Sequence, residues 1–116
     1  MRSLISVLLV AVSAGAFAAD FRLDPGATVS DGTLKVEPRV EGPAGASVRY
    51  EIRTTREGAA GTSNSSQSGN ARLGDDGAAK LASTSISVSP RDRYRVQVRV
   101  LDGNRVVAEE EVRYPN

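Results

Sequence analysis

From residue 20 onward, apolar and polar positions alternate with period two, and the alternation is broken at short intervals by Gly, Pro, Asn and Asp. That pattern predicts half-buried strands joined by turns, with no helical stretch between them. "DFRLDPG" (20–26) reads as a short strand stopped at Asp24-Pro25-Gly26, where proline presets φ and glycine supplies the turn. "TLKVEPRVEG" (33–42) turns Leu34, Val36 and Val40 inward and Lys35, Glu37, Arg39 and Glu41 outward. Pro38 has no N–H to donate, so this strand is expected to lie at an edge or to break there. "ASVRYEIRTT" (46–55) repeats the alternation, with Val48, Tyr50 and Ile52 inward and Arg49, Glu51 and Arg53 outward.

The stretch "EGAAGTSNSSQSGNARLGDDGAAK" (57–80) is rich in Gly, Ser and Asn and poor in apolar residues. It reads as a long loop, with one weak polar strand from Thr62 to Ala71. "KLASTSISVSP" (80–90) returns to strand, with Ile86 and Val88 on one face. "RDRYRVQVRV" (91–100) then places Tyr94, Val96, Val98 and Val100 on one face and Arg93, Arg95 and Arg99 on the other. "LDGN" and "RVVAEEEVRYP" supply a turn and a last strand. About seven antiparallel strands in one domain indicate an all-β fold, an immunoglobulin-like two-sheet β-sandwich.

Two features refine that architecture. Tyr94 opens the sixth strand shortly after Pro90, where a tyrosine can bond back to the preceding connection as a tyrosine corner. A partly buried tyrosine with a wet hydroxyl is the alternative. In the last hairpin, a three-residue loop Asp102-Gly103-Asn104 keeps one face apolar, pairing Val100 with Val106, Val98 with Ala108 and Tyr94 with Val112. That register sets Arg95 opposite Glu111 and Gln97 opposite Glu109.

The N-terminus changes the picture of where the protein works. Arg2, the apolar run Leu4 to Phe17 and the small-residue site Ala16-Phe17-Ala18 make a secretory signal peptide, 1–18, cut after Ala18. The run is shorter than the ~20 residues that span a bilayer. Residues 19–116 then form the domain, which is expected to be exported, without membrane insertion. Of the 15 basic residues only Arg2 falls in the leader, leaving 14 against 14 acids. A formally neutral domain is not a nucleic-acid binder, which would need a basic excess.

Candidate chemistry is sparse. With no cysteine and no histidine in the chain, thiolate and imidazole metal sites and the usual Ser-His-Asp and Cys-His arrangements are not available. Asp75-Asp76 lacks the ligand spacing of a calcium loop. The serines of "TSNSSQSG" have no base to activate them, and Glu109-Glu110-Glu111 point alternately to opposite faces. No cofactor and no enzymatic activity are expected. The remaining candidate is the outward surface of Arg93, Arg95 and Arg99 with Arg49 and Arg53, since the third, sixth and seventh strands are neighbours in such a sandwich. It reads either as a ladder of charge pairs with Glu51, Glu109 and Glu111, or as a docking face for an acidic partner.

Three stretches together, "YEIRTTREGAAGTSNSSQSG" (50–69), "SISVSPRDRYRVQVRV" (85–100) and "VVAEEEVRYP" (106–115), resemble the CsgC/CsgH family of curli assembly chaperones. The most distinctive piece is Ser-Gln-Ser-Gly at 66–69; the strand pattern alone is shared with fibronectin type III modules. The resemblance implies a periplasmic immunoglobulin-like domain that keeps the secreted major curli subunit, a CsgA-like amyloid protein, from polymerising before export; a monomer is the expected state, though no residue fixes it. It also weights the arginine surface toward binding. CsgC carries a Cys-x-Cys motif that this chain lacks, which favours the CsgH branch and no redox role. The competing reading is an exported fibronectin type III-like adhesion or spacer module, disfavoured by the scarcity of aromatic residues that could face a carbohydrate.

Overall fold

The computed structural model describes Val10–Ala11 and residues 20–115. Apart from Val10–Ala11, the expected signal peptide lies outside the described residues. The strands are β1 (Val10–Ala11), β2 (Arg22–Asp24), β3 (Ala27–Ser30), β4 (Thr33–Val36), β5 (Arg39–Glu41), β6 (Ser47–Gly58), β7 (Gly61–Arg72), β8 (Ala78–Lys80), β9 (Thr84–Ser87), β10 (Arg93–Asp102) and β11 (Arg105–Tyr114). Every pairing is antiparallel. The long strands form one sheet in the order β1-β11-β10-β6-β7, and two short sheets run β2-β5-β8 and β3-β4-β9. The chain is all-β, as its alternation predicts, and its layers are those of a β-sandwich.

The strand expected over 33–42 breaks at Pro38. β4 pairs in one short sheet and β5 in the other, so the chain changes sheets at the residue that cannot donate to a ladder. The returning chain makes the same crossing alongside it, and the Leu81 N–H donates to the Pro38 carbonyl at 2.9 Å. That bond ties the β8–β9 connection to the β4–β5 connection, so the two short sheets act as one bent layer.

One core lies between this layer and the long sheet. Leu34, Val36 and Val40 from the short sheets and Val96, Val98, Val100, Val107 and Val112 from the long one have no exposed surface. Full burial of an aliphatic side chain contributes roughly 1.5–3 kcal/mol, and with no disulfide available this valine-rich layer carries the stability.

The weak polar strand expected from Thr62 to Ala71 is present, and it is longer and more regular than the surrounding loop-like composition suggests. Residues 61–72 form a complete twelve-residue strand paired with β6 from Gly58↔Gly61 to Ser47↔Arg72. Its first eight residues are exposed, so burial does not define it; its backbone bonds to β6 do. Gly69 of the Ser-Gln-Ser-Gly run has a steric reason, because a Cβ there would come within 2.6 Å of the Tyr50 hydroxyl across the pair.

The last hairpin also departs from expectation. Its loop is two residues, Gly103-Asn104, closed by Asp102↔Arg105, with the positive φ at Gly103 (64°). A β-bulge then sets Leu101 opposite Val106 and Val100 opposite Ala108, which slips the extra residue Val107 into the core. The bulge restores the face parity that the shorter loop alone would invert. The pairs are therefore Val98↔Glu110, Val96↔Val112 and Tyr94↔Tyr114, rather than Val98 with Ala108 and Tyr94 with Val112.

Tyr94 resolves as a corner. It is 3% exposed; its hydroxyl accepts the Ser89 backbone N–H at 3.0 Å, with the Ser87 carbonyl and an Asp92 carboxylate oxygen each at 3.5 Å as acceptors for its own proton. Asp92 is itself buried and holds Arg56, whose Nε and Nη2 lie 2.9 and 2.7 Å from one carboxylate oxygen. That hydrogen bond, more than the accompanying charge attraction, raises the Arg56 pKa above its ordinary value. The corner thus ties the 87–92 connection to β6 and β10 together.

Candidate functional site

Away from the bulge at Leu101 and Val107, the alternation of β6, β10 and β11 sends odd-numbered residues away from the core. Arg53 lies opposite Gln97, Glu51 opposite Arg99, Thr55 opposite Arg95, and Glu57 opposite Arg93. On the other side of β10, Arg99 lies opposite Glu109, Gln97 opposite Glu111 and Arg95 opposite Arg113. The cross-hairpin pairs expected from the longer loop, Arg95 with Glu111 and Gln97 with Glu109, are shifted by two residues, one from the shorter loop and one from the bulge. All five expected arginines, Arg49, Arg53, Arg93, Arg95 and Arg99, nevertheless share one face. Arg113 joins them; the period-two pattern of "EEEVRYP" already contains that placement.

Six arginines face four glutamates on this surface, and the carboxylates are unevenly used. Arg99 sits centrally, Nη1 3.4 Å from a Glu51 oxygen and Nε 3.6 Å from a Glu109 oxygen. Glu51 also reaches Arg49 at 3.7 Å. Glu111, nearly covered, holds Arg113 at 3.1 Å and Arg95 at 3.7 Å. Among the described residues, Arg53 and Arg93 are exposed and have no carboxylate within ion-pair distance, even though Glu57 stands opposite Arg93. The face is therefore a ladder at its centre and bare guanidinium at two positions flanking it.

Two depressions follow these bare positions. One of about 300 Å³ opens between Arg53, Gln97, Arg99 and the serines of β7. The other, about 470 Å³, is bordered by Arg93, Arg95, Arg113, Glu57 and Pro115. Guanidinium groups with five donors in a fixed fork suit carboxylate acceptors and offer no nucleophile or proton shuttle. A surface of this chemistry presents hydrogen-bond donors and positive charge suited to carboxylates.

Among the described residues, the carboxylate with a displaced titration is Glu110. Glu110 lies on the inward parity of β11, opposite Val98. Partial burial first, and the nearby Asp24 second, push its pKa above the ordinary glutamate value.

With this geometry in place, the comparisons with known proteins can be read. The family model for the thin aggregative fimbriae synthesis protein (Tafi-CsgC) matches residues 27–112, from β3 into β11. The chain belongs to that family. No curated protein matches by sequence. Among solved structures, the solution structure of CsgH from R. palustris is similar with a TM-score of 0.60 at 20% identity, covering 79% of this chain and 90% of that one. The E. coli curli protein CsgC is similar with a TM-score of 0.58 at 24% identity, covering 85% of this chain and all of that one. At such identities the structural likeness speaks for the fold, and the family membership rests on the matched model.

Proposed function

We propose that this protein is a periplasmic, exported chaperone that delays amyloid polymerisation of secreted curli subunits by weak, transient, partly electrostatic capture on its arginine face. Membership of the Tafi-CsgC family supports the curli association. The observation that carries the mechanism is the pair Arg53 and Arg93, exposed and without carboxylate partners on a face whose other arginines are neutralised. Arg49, Arg95 and Arg99 contribute by exchanging their intramolecular glutamates for those of the partner, at little net cost because exposed ion pairs are worth only about 0–1 kcal/mol.

An acidic, unfolded subunit is drawn in by long-range attraction. It is held without a deep cavity and released without ATP. Such binding keeps the chain off the growing cross-β template, where identical strands otherwise stack. The test is thioflavin-monitored fibrillation of the major curli subunit with the chaperone well below stoichiometry. A lengthened lag that shortens as salt rises is the expected result. An unchanged lag at low salt would leave an adhesion or spacer module as the better reading.

A further inference from the structure

The two edges of the long sheet are treated differently. At the β11 edge a bulge bends the strand and Glu110 sets an acid on the inward side; Val10–Ala11, which pairs there with Val112 and Glu111, belongs to the expected signal peptide and does not count as cover for the mature domain. Inward charges and bulges are devices that stop a sheet edge from accepting a foreign strand. β7, at the other edge, has none of them. From Gly61 to Ala71 it carries no proline, no charge and no bulge over its continuous pairing with β6.

The free backbone groups of β7 can be assigned. Leu73, one residue beyond the strand, donates its N–H to the Ala46 carbonyl at 2.8 Å, which fixes the odd-numbered residues as those bonded toward β6. The even-numbered residues Thr62, Asn64, Ser66, Ser68 and Asn70 therefore direct N–H and C=O outward, and their side chains lie on the arginine face opposite Glu57, Thr55, Arg53, Glu51 and Arg49. Gln67 clamps the strand from the inner side, donating to the Thr84 hydroxyl of β9 at 2.9 Å. The edge is thus long, held in place and polar.

We propose that β7 is a docking edge for an extended segment of an acidic, unfolded polypeptide, which adds as the next antiparallel strand and extends the arginine face. An added strand would lie about 10 Å from β6, two strand spacings away. Only small side chains, Ser66 and Ser68, stand between it and Arg53. The unpaired Arg53 guanidinium can pass over Ser66, on the rim of the 300 Å³ depression, to a carboxylate on the incoming strand. Backbone bonds supply sequence-tolerant affinity and Arg53 supplies the preference for acid. This deepens the chaperone reading above, since it names how the acidic chain would be held.

The probe is a twelve-residue soluble peptide with Glu at alternate positions and Gly, Ser and Asn between them. Adding it should slow hydrogen exchange at the amides of Asn64, Ser66 and Ser68 by about tenfold, with no change at the β11 amides. Ser66→Pro with Ser68→Pro removes two outward N–H groups and no bond to β6, so the far-UV spectrum and melting should persist while the protection disappears. Arg53→Glu should keep the edge but lose selectivity for the acidic peptide over a Gln-substituted one. Unchanged β7 exchange with the peptide, protection surviving in the folded double-proline variant, or β7 protection from self-association on sizing, would each overturn the proposal. The fibrillation assay separates the two levels. A double-proline variant that still lengthens the lag leaves the chaperone reading intact without edge capture, whereas a wild type that never lengthens it removes the chaperone reading and leaves the peptide result to stand alone.

Discussion

Ile52 and Arg53 are neighbours on β6 and belong to two different proteins in physical terms. Ile52 is 2% exposed within the shared core. Arg53 is exposed beside Ser66 and Gln97 with no carboxylate partner among the described residues. The same contrast runs along β10, where Val96, Val98 and Val100 are fully buried and Arg93, Arg95 and Arg99 line the opposite face. One face of the sheet supplies nearly all the stability and can change little. The other contributes almost none, and its charges are free to be arranged for a partner.

The comparison can be tested by substitutions on either side of it. Ile52→Ala should cost the most, about 2–5 kcal/mol, because it removes buried surface and leaves a cavity in a core without disulfides; chemical denaturation should show the midpoint falling. Tyr94→Phe comes next. It leaves the Ser89 N–H without its acceptor in the corner and should cost about 1 kcal/mol, read in the same way. Changing Arg99 to Ala, which frees Glu51 and Glu109, should fall below about 1 kcal/mol and shrink further in high salt. If Arg99→Ala destabilised as much as Ile52→Ala, the division between the faces would fail.

Glu110 gives a smaller effect with a defined sign. Its folded pKa is raised, so the folded state holds the proton more tightly than the unfolded chain. Its contribution to stability therefore becomes less favourable as pH climbs from the ordinary glutamate value, about 4.3, to the raised one, and the penalty is complete above that. Glu110→Gln should remove this slope and stabilise the protein near neutrality by no more than about 0.5 kcal/mol after solvent screening. Melting temperatures at pH 4 and pH 7 would show it, as a gain at pH 7 that fades at pH 4.

How much of this was legible in the sequence follows the same division. Alternation identifies the buried residues because water exclusion leaves a period-two record, so Leu34, Val36, Ile52 and Val96 to Val100 could be read directly. β7 leaves a fainter record, legible only as a weak polar strand over 62–71: its side chains are polar on both faces, and what makes it a full strand is its backbone pairing with β6, from 3 to 25 residues away in the chain. The bulge at Val106-Val107 is equally hidden, since a two-residue loop with a bulge and a three-residue loop without one both turn Ala108, Glu110 and Val112 inward and differ only in burying Val107 rather than Val106. That is why the faces of β11 were predictable while its partners across the hairpin were shifted by two. For the same reason the arginines could be gathered onto one face, but which of them lacked a partner required the register.

The distinction between paired and bare arginines is where the functional reading is most exposed. The most direct measurement is the fibrillation lag of the major curli subunit with an Arg53→Glu, Arg93→Glu variant, beside wild type at the same low ratio and ionic strength. Both substitutions lie on the solvent face, so the variant should unfold within about 0.5 kcal/mol of wild type. The expected result is a folded variant whose lag returns to that of the subunit alone. A folded variant that prolongs the lag as fully as wild type would contradict capture by the bare arginines.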